Sequence, residues 1–196
     1  MKRYTQKTIK FYDDIAEKYI KSDATVVLKD KIDKFINLLP GNKVLDVACG
    51  PGHDTDYLTK KGFDCVGIDL SEKMIGLAQK NFKGKYKMMD FFDLKFKNNS
   101  FNGIWCSSIF VHIKKIDLPK LLKNSKKVLK NNGIIGIITA AKQKRVKDKN
   151  DTRTYIMYRK EELEDYLKKA GFKTLFSEIF FYGGRDRIFI ISKKIN

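Results

Sequence analysis

From residue 43 onward the chain alternates two hydrophobic patterns. Short runs of consecutive apolar residues give way to longer runs in which apolar residues recur every three or four positions. Lys43–Ala48, Phe63–Asp69, Lys85–Met89, Phe101–Ser107 and Ile134–Thr139 are of the first kind and predict five strands. Ile134–Thr139 is apolar almost throughout, as a parallel strand covered on both faces should be. The second kind predicts helices: Asp54–Lys61, stopped at Gly62; a segment capped by Ser71, with Glu72 in its first turn, running to Asn81; and Asp117–Lys130. In the last of these, Leu118, Leu121, Leu122, Ser125, Val128 and Leu129 form one face, and Asn131-Asn132-Gly133 is the stop. A further helix at Lys160–Ala170 ends at Gly171. Lys173–Phe181 and Arg187–Ser192 then read as two strands joined by a hairpin at Gly183-Gly184. Ahead of this repeat, Tyr4–Leu39 predicts one or two helices, closed by Pro40-Gly41.

Alternating strands and helices imply a parallel α/β sheet, whose ligands collect at the carboxyl ends of the strands. Two such ends carry chemistry here. Val44-Leu45-Asp46-Val47-Ala48-Cys49-Gly50-Pro51-Gly52 is an apolar strand running into a small-residue loop. Asp69 closes the next strand 23 residues after Asp46, the length of one strand–helix–strand unit. A flat loop admits close approach of a ligand, and an ionised carboxylate accepts hydrogen bonds from two ribose hydroxyls. A ribosylated cofactor is therefore expected. Thr55 occupies the third position of a Gly-x-Gly-x-x-Gly pattern, which argues against a phosphate cradle, and the terminal hairpin argues against a nicotinamide oxidoreductase.

Composition changes this picture little. A chain of 196 residues suits one domain. Cys49, Cys65 and Cys106 lack metal-ligand or disulfide spacing and read as small buried hydrophobes. The net charge of +18 has two readings, a dispersed lysine bias and a polyanion-binding surface. Only six of the 41 basic residues are arginine, the residue that bidentate phosphate recognition favours. No stretch approaches 18 consecutive apolar residues, and the N-terminus lacks the apolar run of a signal peptide, so a cytoplasmic protein without a membrane span is expected.

The ordered set of motifs resembles the class I S-adenosylmethionine-dependent methyltransferases, over roughly residues 11–193. Residues 44–52 match the first motif, with Ala48 where many members carry glycine. Val66-Gly67-Ile68-Asp69-Leu70-Ser71 matches the acidic strand end, and Asp90-Phe91 the pair that brackets adenine. Phe101–Ser108 followed by His112 resembles the fourth-strand motif, with Asn102 replacing a frequent aspartate. Leu122–Ile137 resembles the fifth, and Phe11–Tyr19 the N-terminal segment of small members.

The resemblance implies a Rossmann-like seven-stranded α/β fold, mostly parallel, with an antiparallel C-terminal hairpin and helices on both faces. Residues 1–40 would form a helical lid or cap and 41–196 the methyltransferase domain, one structural domain overall. It also implies S-adenosylmethionine as cofactor, no metal, and a cleft with assigned roles. Ala48, Gly50 and Gly52 would line the loop against the methionine part, with Asp46 near the sulfonium and Ser107 near the methionine ammonium. Asp69 would take the ribose hydroxyls, Leu70 and Met74 pack on adenine, and Asp90 and Phe91 hold its edge. Tyr19 and Tyr12 either fold over the cofactor or simply pack.

His112 is the candidate general base, against the alternative of a structural histidine; His53 is weaker. The expected acceptor is a small molecule, and the protein a monomer or homodimer. Arg153, Tyr155 and Tyr158 with Arg185-Asp186-Arg187 loosely resemble tRNA wobble-uridine methyltransferases, so RNA is the alternative partner. A non-catalytic cofactor-binding module is the second alternative.

Overall fold

The computed structural model describes residues 3–22, 25–142 and 155–195. Most of the charged stretch Lys142–Arg153, including Arg153, lies outside them. Two helices, α1 (Arg3–Tyr19) and α2 (Lys29–Ile36), precede β1 (Lys43–Val47), α3 (His53–Lys60), β2 (Asp64–Asp69), α4 (Glu72–Asn81) and β3 (Lys85–Met88). After β4 (Phe101–Ser107) come α5 (Leu118–Val128), β5 (Leu129–Ala140), α6 (Lys160–Lys169), β6 (Phe172–Tyr182) and β7 (Arg185–Lys194). The strands form one seven-stranded sheet in the order β3-β2-β1-β4-β5-β7-β6. β7 runs antiparallel to both of its neighbours, and the other paired neighbours are parallel. This is the fold that the sequence implied.

Strand side chains alternate between the two faces of the sheet, and each face buries its own core. Leu45 and Val47 of β1, Ile104 and Cys106 of β4, and Ile188 and Ile190 of β7 point to one face. There they meet Leu118, Leu121 and Leu122 of α5 and Leu163 and Leu167 of α6. Val44, Trp105, Phe189 and Ile191 point to the other, against Ile32 and Phe35 of α2 and Leu58 of α3. Since both faces are covered, the strands must be apolar at nearly every position, which is why they read as uninterrupted runs.

Three local differences have physical causes. The expected Asn-Gly turn after α5 is absorbed into β5, where pairing with β4 shifts register between Phe101 and Gly103 and Asn132 takes φ 62°. A bulge places the extra residues without ending the strand. The hairpin turn has Gly183 and Gly184 both at positive φ, the geometry a two-residue turn needs to match strand twist, so β6 and β7 extend further than their apolar cores suggested. Finally, residues 1–40 do not act as one cap. α1 packs Ala16 with Met74 and Leu77 of α4, whereas α2 belongs to the layer beneath β1 and β4.

Candidate active site

The carboxyl ends of β1, β2 and β4 open into a cleft of about 920 Å³, counting its open mouth. That is the size range of pockets for cofactors and drug-sized ligands. Its walls include Ala48, Gly50, Asp69, Leu70, Met74, Asp90, Phe91, Ser107 and His112, with Tyr12 and Tyr19 of α1 on the far side. A smaller polar recess continues from it past Ala48, Gly50 and Ser107 to Asp46, His53 and Asp54. Ten of the expected cofactor residues therefore reach one continuous opening.

The exception is Gly52. It caps α3 at φ 95°, and a side chain there would come within 2.9 Å of Ala78 and Tyr86. Gly52 is small because α4 and β3 crowd it from behind, not because it touches the cleft.

Asp69 is held by two backbone donors: Gly50 N–H reaches Oδ2 at 3.0 Å and Ser71 N–H reaches Oδ1 at 2.8 Å. A carboxylate has about four acceptor sites, so two remain for a ligand. Burial, and to a smaller degree Asp13, holds its carboxyl above the usual range. Asp90 accepts from Phe92 N–H at 2.8 Å and caps the short 3₁₀ turn Phe91–Asp93, while also lining the cleft. Capping and ligand reach thus coexist. Met74 likewise serves both the cleft wall and the α1–α4 contact.

Backbone strain gathers at this edge. Ala48 and Ser108, both on the cleft wall, sit at φ 56° and 66°, where a Cβ is disfavoured.

α1 is fastened over the opening at two points. Tyr12 Oη and His112 Nε2 are hydrogen-bonded at 3.0 Å, and the Ser71 hydroxyl donates to Asp13. Tyr12 packs edge-on against both Tyr19 and His112, and His112 against Tyr155.

Comparison with known proteins bears on the fold and the family. Residues 44–133 match the family described as "Methyltransferase domain". A phosphoethanolamine N-methyltransferase from Zea mays is 33% identical over 172 residues, covering 82% of this chain and 34% of the relative. A ubiquinone biosynthesis O-methyltransferase from Pelagibacter ubique is 36% identical over 137 residues, covering 67% of this chain and 55% of the relative. The chain thus spans about a third of the length of the plant relatives it matches. Among solved structures, the 1,6-didemethyltoxoflavin-N1-methyltransferase of Burkholderia thailandensis, with 1,6-didemethyltoxoflavin and S-adenosylhomocysteine bound, superposes with a TM-score of 0.81. It is 18% identical, covering 98% of this chain and 89% of that one. The chain belongs to the class I S-adenosylmethionine-dependent methyltransferases.

One acid of this methyltransferase site escaped the sequence reading. Asp54, counted only as the start of a helix, turns its carboxylate to Trp105, whose indole N–H donates to it at 2.8 Å. Asp46, on the same face of β1, accepts from the Thr55 hydroxyl at 2.6 Å. Burial raises both carboxyls, Asp54 to about 6, and Asp46 is raised further by its neighbours Asp54 and Asp69. The available signal was parity: Asp46 and Trp105 are paired neighbours on adjacent strands, so a polar residue at the start of α3 had an indole N–H to meet. The three thiols are all free and pushed up by burial, which leaves them unreactive.

Proposed function

We propose that the chain transfers a methyl group from S-adenosylmethionine to a nitrogen, oxygen or carbon nucleophile of a small-molecule acceptor. Asp69 carries the reading. A half-buried carboxylate, fixed by two backbone N–H groups with two acceptor sites open to the cleft, suits a vicinal diol such as ribose. The maize and Pelagibacter relatives are named for phosphoethanolamine and for ubiquinone biosynthesis, which favours a small acceptor.

S-adenosylmethionine supplies a methyl group on a positively charged sulfur, already activated for in-line displacement. The protein's task is then to bind, align and exclude water. Asp69 takes the ribose hydroxyls, the second oxygen of Asp90 takes the adenine amino group, and Leu70, Met74 and Phe91 enclose the base. Ala48, Gly50 and Ser107 leave room for the methionine chain. Asp54, ionised above about pH 6, gives that end a negative field suited to an ammonium group, with Asp46 held behind it by the Thr55 hydroxyl. Tyr12 and Tyr19 close the cleft from above. His112, tied to Tyr12, accepts the proton that an amine or hydroxyl acceptor loses, a contribution of about 10²–10⁴-fold where a proton must leave.

The test is thermal denaturation with S-adenosylmethionine, S-adenosylhomocysteine and NADH, with Asp69→Ala alongside. At 100-fold above the dissociation constant, a ligand stabilises by about 2.7 kcal/mol, or roughly 5–11 °C for a chain of this size. The two sulfur nucleosides should give that shift, NADH should not, and Asp69→Ala should lose it. S-adenosylhomocysteine release is then followed with a panel of amines, phenols and tRNA. Binding without release on any acceptor would identify a non-catalytic cofactor-binding module instead.

A further inference from the structure

The cleft is acidic on the β1–β2 side, with Asp46, Asp54, Asp69 and Asp90, and among the described residues no lysine or arginine lines either part of it. Two arginines, Arg185 and Arg187, stand at the opposite rim and come from β7. Because β7 runs antiparallel, its first residues emerge where the parallel strands end: Arg187 pairs with Ala140, the last residue of β5. The half-buried guanidinium lies across the ring of Tyr182 at 5.6 Å. Its Nε donates to the Tyr182 carbonyl at 3.3 Å and its Nη1 reaches the Ser108 hydroxyl at a long 3.5 Å. Ser108 lines both parts of the cleft. Arg185 stands beside it, 6.0 Å from the Tyr155 ring.

No carboxylate among the described residues pairs with either arginine. The charged neighbour acting on Arg187 is Arg185, and the other groups acting on it are the phenols of Tyr182, Tyr155 and Tyr19. A half-buried guanidinium with five donors, two of them spent on long bonds to neutral oxygens, is a binding site for an anion. Two guanidiniums side by side without an acid repel one another, a cost that an incoming anion removes.

We propose that Arg187, supported by Arg185 and the Tyr155 and Tyr182 rings, receives a phosphate or carboxylate group on the methyl acceptor and thereby selects anionic acceptors. This deepens the methyl-transfer reading above and rests on it for the identity of the ligand. The cofactor's own carboxylate is the rival occupant. Strands lie about 4.8 Å apart, so β7, three strands from β1, begins roughly 14 Å from the Gly50 loop, on the acceptor side of the cleft.

Calorimetry on the protein saturated with S-adenosylhomocysteine, titrated with inorganic phosphate and separately with acetate, tests this. Wild type should bind at least one of them saturably, and the tighter of the two assigns phosphate or carboxylate. Arg187→Met should weaken that binding by at least ~30-fold. Arg187→Lys, which keeps the charge but not the fork, should retain part of it. Affinity for S-adenosylhomocysteine should stay within about twofold in both variants. The proposal is overturned if neither anion binds wild type, if Arg187→Met binds as wild type does, or if the variant loses the nucleoside together with the anion. Failure of wild type to bind S-adenosylhomocysteine would instead remove the methyl-transfer reading, while anion titration of the unliganded protein would still report on Arg187.

Discussion

Ala48 shows how a single residue can be held against its preference. At φ 56° its Cβ costs about 1–2 kcal/mol, which a glycine would avoid. Ala48→Gly gives some of that back through greater freedom of the unfolded chain, so a net gain of about 0.5–1 kcal/mol is expected. The melting temperature should rise by about 1–4 °C.

Asp54 sets stability against binding. Its folded carboxyl titrates at about 6, against 3.8 ordinarily, so the native state holds the extra proton between those values. The stabilisation this brings is complete below about pH 3.8 and lost as pH rises through about 6. Asp54→Asn, which keeps an acceptor for Trp105, should therefore melt higher than wild type at pH 7.5, the difference vanishing toward pH 4. If the acid faces the cofactor's ammonium, the same variant should bind S-adenosylmethionine more weakly in calorimetry. Asp69 was legible from sequence because it ends an apolar strand at a fixed distance from Asp46. Asp54 was not, because its meaning depends on an indole 51 residues away.

At the scale of elements, strands and helices of the repeat were readable because a doubly covered sheet demands consecutive apolar residues and amphipathic helices do not. What periodicity could not divide was the N-terminal segment. α1 and α2 are both amphipathic, yet one covers the cleft and the other underlies the sheet through Phe35. Removing residues 1–20 should leave a cooperative melt but lower affinity for S-adenosylhomocysteine. Phe35→Ala should cost about 3–5 kcal/mol of stability by emptying core volume. Within α1, Tyr12→Phe removes the hydrogen bond to His112, worth about 1 kcal/mol, and should raise the dissociation constant about fivefold without unfolding the helix.

At the scale of the whole molecule, the charge of +18 is spread over lysines, some of them tied down. Lys60, Lys85 and Lys169 each lie 2.6 Å from a carboxylate oxygen, and Lys31 bridges Asp30 and Glu178. Exposed pairs of this kind add little stability, but they remove isolated positive charge from the surface. The unpaired surplus is carried mostly by lysines dispersed along the chain and not by arginine forks, so binding of tRNA should be weak, with a shallow slope of log affinity against log salt. A steep linear fall between 50 and 200 mM would count several phosphate contacts and favour the RNA alternative. Composition alone could not decide this, because it gives the number of charges and not their partners.

The bond between Trp105 and Asp54 has an optical consequence. Trp105 is the only tryptophan in the sequence, it is buried, and its pyrrole nitrogen touches a carboxylate at the edge of the ligand recess. On excitation an indole moves electron density away from that nitrogen, so a negative charge beside it lowers the energy of the emitting state. Fluorescence should move to the red as Asp54 ionises near pH 6 and back to the blue when a bound cation neutralises it. The protein thus carries a fluorophore wired to its own recess, able to time ligand arrival in a stopped-flow cell without any label.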